Sequence, residues 1–350
     1  KRYENYPLPK TKIINLNLEK LKNGSLSKEA ISISKSYLKK NNQILFFLNR
    51  RGYAPFLICK KCGFKHVCPN CSIYLTYHKS INKLICHHCG FSKRFPNSCE
   101  DCGAEGQLTA SGPGVERVAE EARNRWPKAR IEIASSDTLS GPSAIQEFIR
   151  AMVEGEIDIA VGTQVLAKGH HFPNLTLVGI VDGDLGLGGG DLRAGERSFQ
   201  LLTQASGRAG RAERPGRALI QTHQPDHSVM QALISGDRDA FIDAETAARK
   251  YTKLPPFGRL AAIIISGRDS VESERMARAI AKSAPNYDDV RILGPAPAPI
   301  AQLRGRWRWR LLVMAARHVD VQAVLRDWIG ETISRGGVRV TIDVDPYNFM

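Results

Sequence analysis

Cysteine is missing from all of this 350-residue chain except one stretch: eight are present, and all fall between Cys59 and Cys102. No run of about 18 apolar residues occurs, which excludes an ordinary transmembrane helix. Neither a hydrophobic leader nor a methionine precedes Lys1-Arg2-Tyr3, so the chain reads as a piece of something longer, and nothing in it suggests an oxidising compartment. There is no Gly-x-x-x-x-Gly-Lys-Ser/Thr and no acidic box followed by histidine, so the phosphate cradle of a P-loop motor is lacking. What remains, 42% apolar over this length, suffices for two or three domains with real cores.

Charge is unevenly spread. The net charge is +15, yet residues 1–108 hold 19 Lys+Arg against 6 Asp+Glu, while residues 109–350 hold 31 against 29. A basic excess confined to the cysteine-bearing segment suits nucleic acid better than a generally basic surface would. The basic residue type also switches, from 15 Lys and 4 Arg before residue 109 to 5 Lys and 26 Arg after it. No folding argument requires that switch; it suggests two stretches of different genomic composition meeting near 105–110.

The cysteines form four Cys-x-x-Cys knuckles: Cys59/Cys62, Cys68/Cys71, Cys86/Cys89 and Cys99/Cys102. Two intervening residues let both sulfurs of a knuckle turn onto one tetrahedral ion, so four knuckles imply two Zn2+ sites of four thiolates each. Four knuckles can pair in three ways, and spacing alone does not choose among them. With eight thiolates filling two shells, His66, His78, His87 and His88 are expected to support the ligands or face solvent.

Hydrophobic periodicity organises the rest. Residues 1–26 read as polar and irregular. Ser27 is placed to cap a helix, and Gln43–Leu48 is a continuous apolar run of the kind found in a parallel strand buried on both faces. After the cysteines, a helix runs to Trp126, a short strand covers Ile131–Ile133, and Ser143 caps an amphipathic helix carrying Ile145, Phe148, Ile149 and Met152. Strands follow at Ile157–Val161 and Leu175–Val181, then a helix over Ala194–Ser206 and a strand over Arg217–Thr222. That alternation means a parallel α/β sheet into which the knuckles are inserted. Residues 226–253 read as helix. The remainder reads β-α-β-β-α-β, a ferredoxin-like α+β pattern, with a proline-rich loop between its second strand (290–293) and its third (306–314).

Two turns carry chemistry. The strand ending at Val161 runs into Gly162-Thr163-Gln164, followed by Lys168-Gly169-His170, and the helix over 194–206 ends in Gln204-Ala205-Ser206-Gly207-Arg208-Ala209-Gly210-Arg211. Arginines three apart on a glycine-rich turn can offer rigid, permanently charged forks to a phosphate. The two turns are expected to share one rim of the sheet. Asn49-Arg50-Arg51 follows the apolar strand at its carboxyl end, where α/β sheets usually bind ligands. Asp182 and Asp184 also follow a strand end, and structural or coupling roles suit them better than metal binding, because no third acid or histidine joins them. In Arg306-Trp307-Arg308-Trp309-Arg310, alternation puts rings on one strand face and guanidiniums on the other, with tryptophan in the core and arginine towards solvent or DNA phosphate.

Phe47–Pro55, the four knuckles, Gly162–Pro173, Gln204–Arg211, Gly305–Trp309 and Asp343–Pro346 together resemble the primosomal protein N′ (PriA) family of replication-restart helicases. The resemblance implies a second RecA-like helicase lobe over 1–58 and 103–225, a zinc insertion over 59–102, a helical linker over 226–257 and the ferredoxin-like domain over 258–350. It implies an ATP- and Mg2+-dependent 3′→5′ DNA helicase, cytoplasmic, which recognises stalled forks and initiates primosome assembly. Its partners would be forked and single-stranded DNA, primosome proteins, single-strand DNA-binding protein and the replicative helicase loader, with no membrane. It also implies nested zinc pairing: Cys59, Cys62, Cys99 and Cys102 on one ion, Cys68, Cys71, Cys86 and Cys89 on the other.

By the same resemblance, Arg208 and Arg211 would act as arginine fingers on the ATP γ-phosphate. Gly162, Thr163, Gln164, Gln204 and Gly207 would couple nucleotide to DNA, with Lys168 and His170 as strand contacts. Asn49, Arg50, Arg51, Arg306 and Arg308 would bind DNA. The nucleotide-cradling lobe lies upstream in the family, so this chain alone is expected not to hydrolyse ATP. The rival expectation is a zinc-stabilised DNA and protein docking scaffold without motor activity.

Overall fold

In the computed structural model, residues 9–347 are described apart from 20, 22–23, 49–55, 79–80, 87, 112–113, 136–137, 140, 164–171, 188–191, 211–213, 331–333 and 336. In chain order the elements are β1 (Lys10–Asn15), α1 (Lys28–Leu38), β2 (Gln43–Leu48), β3 (Phe56–Cys59), β4 (Thr76–His78), β5 (Lys83–Ile85), β6 (Ser92–Arg94) and β7 (Leu108–Ser111). Next come α2 (Val115–Arg125), β8 (Ile131–Ala134), α3 (Pro142–Val153), β9 (Ile159–Gly162), β10 (Leu175–Asp182), α4 (Ala194–Ser206), β11 (Arg217–Thr222), α5 (Ser228–Ser235) and α6 (Arg238–Tyr251). The last are β12 (Gly258–Gly267), α7 (Ser270–Lys282), β13 (Val290–Leu303), β14 (Arg306–Ala316), α8 (Val321–Ile329), β15 (Ser334–Arg335) and β16 (Val338–Val344).

The chain divides into two compact units, each discontinuous in sequence. The first joins residues 1–55 to 112–241, the second 56–111 to 242–350.

The first unit is built on a six-stranded sheet in the order β1-β11-β10-β2-β9-β8, every described pair parallel. Strand β2 shows why. Leu45 and Phe47 enter the cluster formed with α3, α4 and α5, while Ile44, Phe46 and Leu48 enter the one formed with α1 and α2. Period-two alternation with both faces apolar demands cover on both sides, which only helical crossovers supply. Phe46 also stacks on Trp126 with ring centroids 6.0 Å apart. Ser27 caps α1 as its sequence predicts, its Oγ accepting from the Ala30 N–H.

Four local expectations are corrected. Lys10–Asn15 is not irregular; it pairs with β11 as the edge strand. Ser143 does not cap α3. Gly141 holds that position, with Pro142 opening the first turn, where a missing N–H costs nothing. Residues 226–253 are two helices, because Gly236 takes a left-handed conformation that ends α5, and the Asp237 carboxylate accepts from the Ala240 N–H as α6 begins. The proline-rich stretch 295–299 is not a loop between strands. It lies within β13, an edge strand whose register shifts there, so no ladder partner needs the N–H that proline lacks.

The second unit holds two sheets. One is the small antiparallel sheet β6-β5-β4-β3-β7 of the cysteine segment, and the other is β13-β14-β12-β16-β15. In the latter the order β-α-β-β-α-β read from the sequence is present, with α7 and α8 packed on one face through Ala277, Ile280, Val321, Leu325 and Ile329.

Candidate motor-lobe turns and zinc centres

Two residues between sulfurs bring each knuckle's thiols together, and the tertiary fold then brings knuckles together in pairs. The sulfurs of Cys59, Cys62, Cys99 and Cys102 lie within 4.8 Å of one another, as do those of Cys68, Cys71, Cys86 and Cys89. Sγ–Sγ separations are 3.8 Å for Cys59–Cys102 and 3.6 Å for both Cys62–Cys99 and Cys68–Cys89. A disulfide needs about 2.05 Å. A tetrahedron with Zn–S near 2.3 Å has edges of about 3.8 Å, so the donor sets fit zinc. The first turns are pinned alike. Gly63, Gly90 and Gly103 each donate from N–H to the carbonyl of the knuckle's first cysteine at 2.9 Å, and all three have positive φ.

Electrostatics point the same way. Burial, above all, and neighbouring thiols push Cys68 up to about 12. Cys89 falls to about 7 against the cost of its own burial, held there by the Phe91 N–H and the thiols around it. Four thiolates so close cannot all ionise unless a cation joins them. The clusters are therefore two zinc sites, Cys59/Cys62/Cys99/Cys102 and Cys68/Cys71/Cys86/Cys89. Among the described residues no other group of histidines, cysteines and acids gathers for a metal.

Among the described residues, no histidine joins either thiol cluster. His66 is buried, its Nδ1 3.2 Å from Lys93 Nζ and 3.3 Å from Glu100 Oε2. Burial, and then the Lys93 charge, lowers its pKa, so the ring is neutral and accepts from Lys93. The ion pair is therefore Lys93–Glu100, at 2.7 Å. Glu100 sits in the knuckle of the first site, His66 two residues before the second, and Lys93 joins them. His78 is buried, and His87 lies outside the described residues.

In the first unit, Gly162 ends β9, level with Ala134 and Phe47, and the Thr163 N–H donates to the Ala134 carbonyl at 3.2 Å. The arginine turn lies elsewhere. Helix α4 runs back against the strands and ends at Ser206, and the Gly210 N–H donates to the carbonyl of Leu175, the first residue of β10. The two turns therefore occupy opposite ends of the sheet, which corrects the expectation of a shared rim. In a parallel sheet a return helix must finish at the amino ends of the strands.

Arg208 itself is buried, 5% exposed, directly after Gly207, which closes α4. Gln204 sits in the last turn of that helix. Asn49, Arg50, Arg51, Gln164, Lys168, His170 and Arg211 lie outside the described residues.

A pair of glycines fixes the arginine turn, and sequence reasoning missed the second of them. Gly210 has φ +64, and a Cβ built there would sit 2.5 Å from the Gly216 Cα. One built on Gly216 would lie 2.5 Å from the Ala209 carbonyl oxygen and 2.6 Å from the Gly210 nitrogen. The turn closes on the start of β11 only because both residues lack a side chain. A glycine directly before a strand was the available signal.

Asp182 and Asp184 are held by the fold. Asp182 Oδ1 accepts from the N–H groups of Asp184 and Leu185, and Asp184 accepts from the Thr222 hydroxyl and the His223 N–H. Burial pushes the Asp182 carboxyl up. In the second unit Trp309 packs against the core, and the Arg306 guanidinium donates to the Ser266 carbonyl at 2.7 Å. Desolvation, aided by the Arg310 charge, lowers the pKa of Arg308.

Three family signatures match: primosomal protein N C-terminal domain over 250–347, PriA DNA helicase Cys-rich region domain over 68–94, and helicase conserved C-terminal domain over 115–213. Proteins named replication restart protein PriA align along nearly the whole chain. The one from Rickettsia conorii is 42% identical over 349 residues, covering 99% of this chain and 54% of the relative. The chain belongs to the PriA family. PriA of Haemophilus influenzae is 38% identical, with 95% of this chain and 46% of its own length covered, and PriA of Bacillus subtilis is 35% identical, with 98% and 43%. The chain thus spans about half the length of the PriA relatives it matches. Among solved structures, RecG bound to a three-way DNA junction aligns with TM-score 0.37 at 12% identity, over 70% of this chain and 22% of that one; likeness at that level adds nothing to the PriA assignment.

Proposed function

We propose that this chain supplies the second motor lobe, the zinc module and the C-terminal domain of an ATP-driven 3′→5′ DNA helicase that restarts replication at stalled forks in the cytoplasm. Mg2+-ATP would be held by a first lobe outside this chain. Arg208 and Arg211 would present guanidiniums to the transferring phosphoryl group, where such charge is worth about 10³–10⁵ in rate. The carrying observation is the arginine turn, locked by crossing glycine backbones and by the Gly210–Leu175 hydrogen bond. A turn that needs two glycines to close holds Arg208 in one place, as a phosphate-facing group requires.

Gly162, Thr163, Gln164, Gln204 and Gly207, with Lys168 and His170, would relay nucleotide state to a DNA strand. Because the two turns occupy opposite ends of the sheet, the relay would run along β9, β2 and β10. Asn49, Arg50, Arg51, Arg306 and Arg308 would contact phosphates of forked or single-stranded DNA. Primosome proteins, single-strand DNA-binding protein and the replicative helicase loader would be the protein partners.

The test is DNA-stimulated ATP hydrolysis by the protein extended upstream to include its nucleotide lobe, comparing Arg208→Lys with the parent. Lysine keeps the charge and most of the volume but loses the planar fork. Hydrolysis should fall by at least about 10³-fold with melting temperature held, and unchanged hydrolysis would sink the motor role. The second reading, a docking scaffold without motor activity, draws on the burial of Arg208 at 5% exposure. It requires that same variant to keep its DNA affinity and lose nothing in hydrolysis.

A further inference from the structure

The β13–β14 turn comes from residues 302–306, more than 200 residues after the second zinc knuckle, yet it is fastened to that knuckle. The turn has two residues, Arg304 with φ 52 and Gly305 with φ 74, the left-handed pair of a tight hairpin. Three of its N–H groups are satisfied by the knuckle rather than by the hairpin. Gln302 donates to Ser72 Oγ at 2.9 Å, Arg304 to Cys71 Sγ at 3.4 Å, and Gly305 to the Asn70 carbonyl at 2.7 Å.

In return the Ser72 N–H donates to the Gln302 carbonyl at 2.8 Å, and Arg304 Nε donates to the His88 carbonyl at 3.3 Å. Leu303 packs into the apolar cluster of Leu57, Leu75, Leu84, Cys68, Cys71 and Cys86. Arginine is disfavoured in a left-handed conformation, and the sulfur-directed hydrogen bond sits at that residue.

We propose that this hairpin turn is the outer wall of the second zinc site. Metal there then holds β14, with its Arg306, Trp307, Arg308 and Trp309, while the turn in exchange retains the metal. Four thiolates on one divalent ion leave two negative charges, which the Arg304 amide and guanidinium help to spread. The first site, Cys59/Cys62/Cys99/Cys102, receives no described hydrogen bond from the hairpin, so the coupling belongs to one of the two ions. This inference is independent of whether the chain forms part of a motor.

The test uses the whole chain loaded with zinc, and it has two arms. Release of zinc to a chromophoric chelator is followed in the parent and in Leu303→Ala and Ser72→Ala. One of the two equivalents should leave about 10–100-fold faster in Leu303→Ala, and more modestly faster in Ser72→Ala, while the other keeps the parent rate. Hydrogen exchange is then read at the Gln302, Arg304 and Gly305 amides in Cys86→Ser and in Cys62→Ser. Exchange should rise at least about tenfold in the first variant and stay at the parent level in the second, a contrast worth about 1.4 kcal/mol. If a cysteine variant fails to fold, the chelator arm on Leu303→Ala decides alone. Zinc release that is unchanged in Leu303→Ala, or accelerated equally for both ions, overturns the proposal, and so does equal exchange in the two cysteine variants.

Discussion

Replacing Gly210 with alanine is the sharpest challenge to the way the arginine turn is built. The left-handed backbone alone charges a β-carbon about 1–2 kcal/mol. The new methyl would also lie 2.5 Å from the Gly216 Cα, and backbone cannot swing aside as a side chain can. Overpacking of that kind costs about 1–3 kcal/mol more, so the sum is roughly 2–5 kcal/mol, or upwards of about 5 °C in melting temperature for a unit of this size. Gly216→Ala has no left-handed penalty and should cost only the steric part, about 1–3 kcal/mol. Because both methyls contest one gap, the double variant should cost less than the two single ones together. Thermal denaturation of the three variants measures all of this. Strict additivity, or Gly216→Ala melting within about 0.5 kcal/mol of the parent, would refute the crossing of the two backbones as the turn's closure.

Metal analysis should return two zinc equivalents per chain. Chelation should raise exchange throughout Phe56–Ser111 while β2, β9 and β10 stay protected, since roughly 10–16 kcal/mol per thiolate-bound zinc exceeds what three fully buried leucines supply there; protection surviving chelation would contradict this. At the start of β8, Arg130 donates to the Asp158 carboxylate at 2.7 and 3.0 Å, and its own backbone N–H donates to it at 2.8 Å. Burial raises the Asp158 pKa, but the Arg130 bonds prevail and hold it below the usual carboxylate range. With Arg130 more than half exposed, the pair is worth only about 1 kcal/mol. That stability is complete above the unfolded value near 3.9 and lost as pH falls through the lower folded one. The melting difference between the parent and Asp158→Asn should therefore shrink below about pH 4, and a constant difference down to pH 2 would refute the assignment.

Most of the first unit was legible because β2 and its neighbours are apolar on both faces, a pattern with few alternatives to a parallel sheet under helices. Helix α4 and strand β11 appear where periodicity put them, since neither holds a proline and the one glycine of α4, Gly195, falls in its first turn. What escaped were features set by approach between distant segments. Lys10–Asn15 is a strand because β11 offers it an edge, which its own polar alternation does not announce. The placement of the arginine turn at the amino end of β10 follows from the direction of α4, not from residue types. The zinc spacing fixed the ligand count, but which knuckles share an ion depends on how β3 to β7 pair.

The seam between Ser72 and Gln302 spans 230 residues of chain. A ribosome would therefore deliver all eight thiols long before the strand that walls one of their ions, and closing so wide a loop is slow. Until then the nascent cysteine segment would present Leu57, Leu75 and Leu84 without Leu303 beside them. A truncation placed before Gly258 would keep every zinc ligand and make that half-finished state permanent.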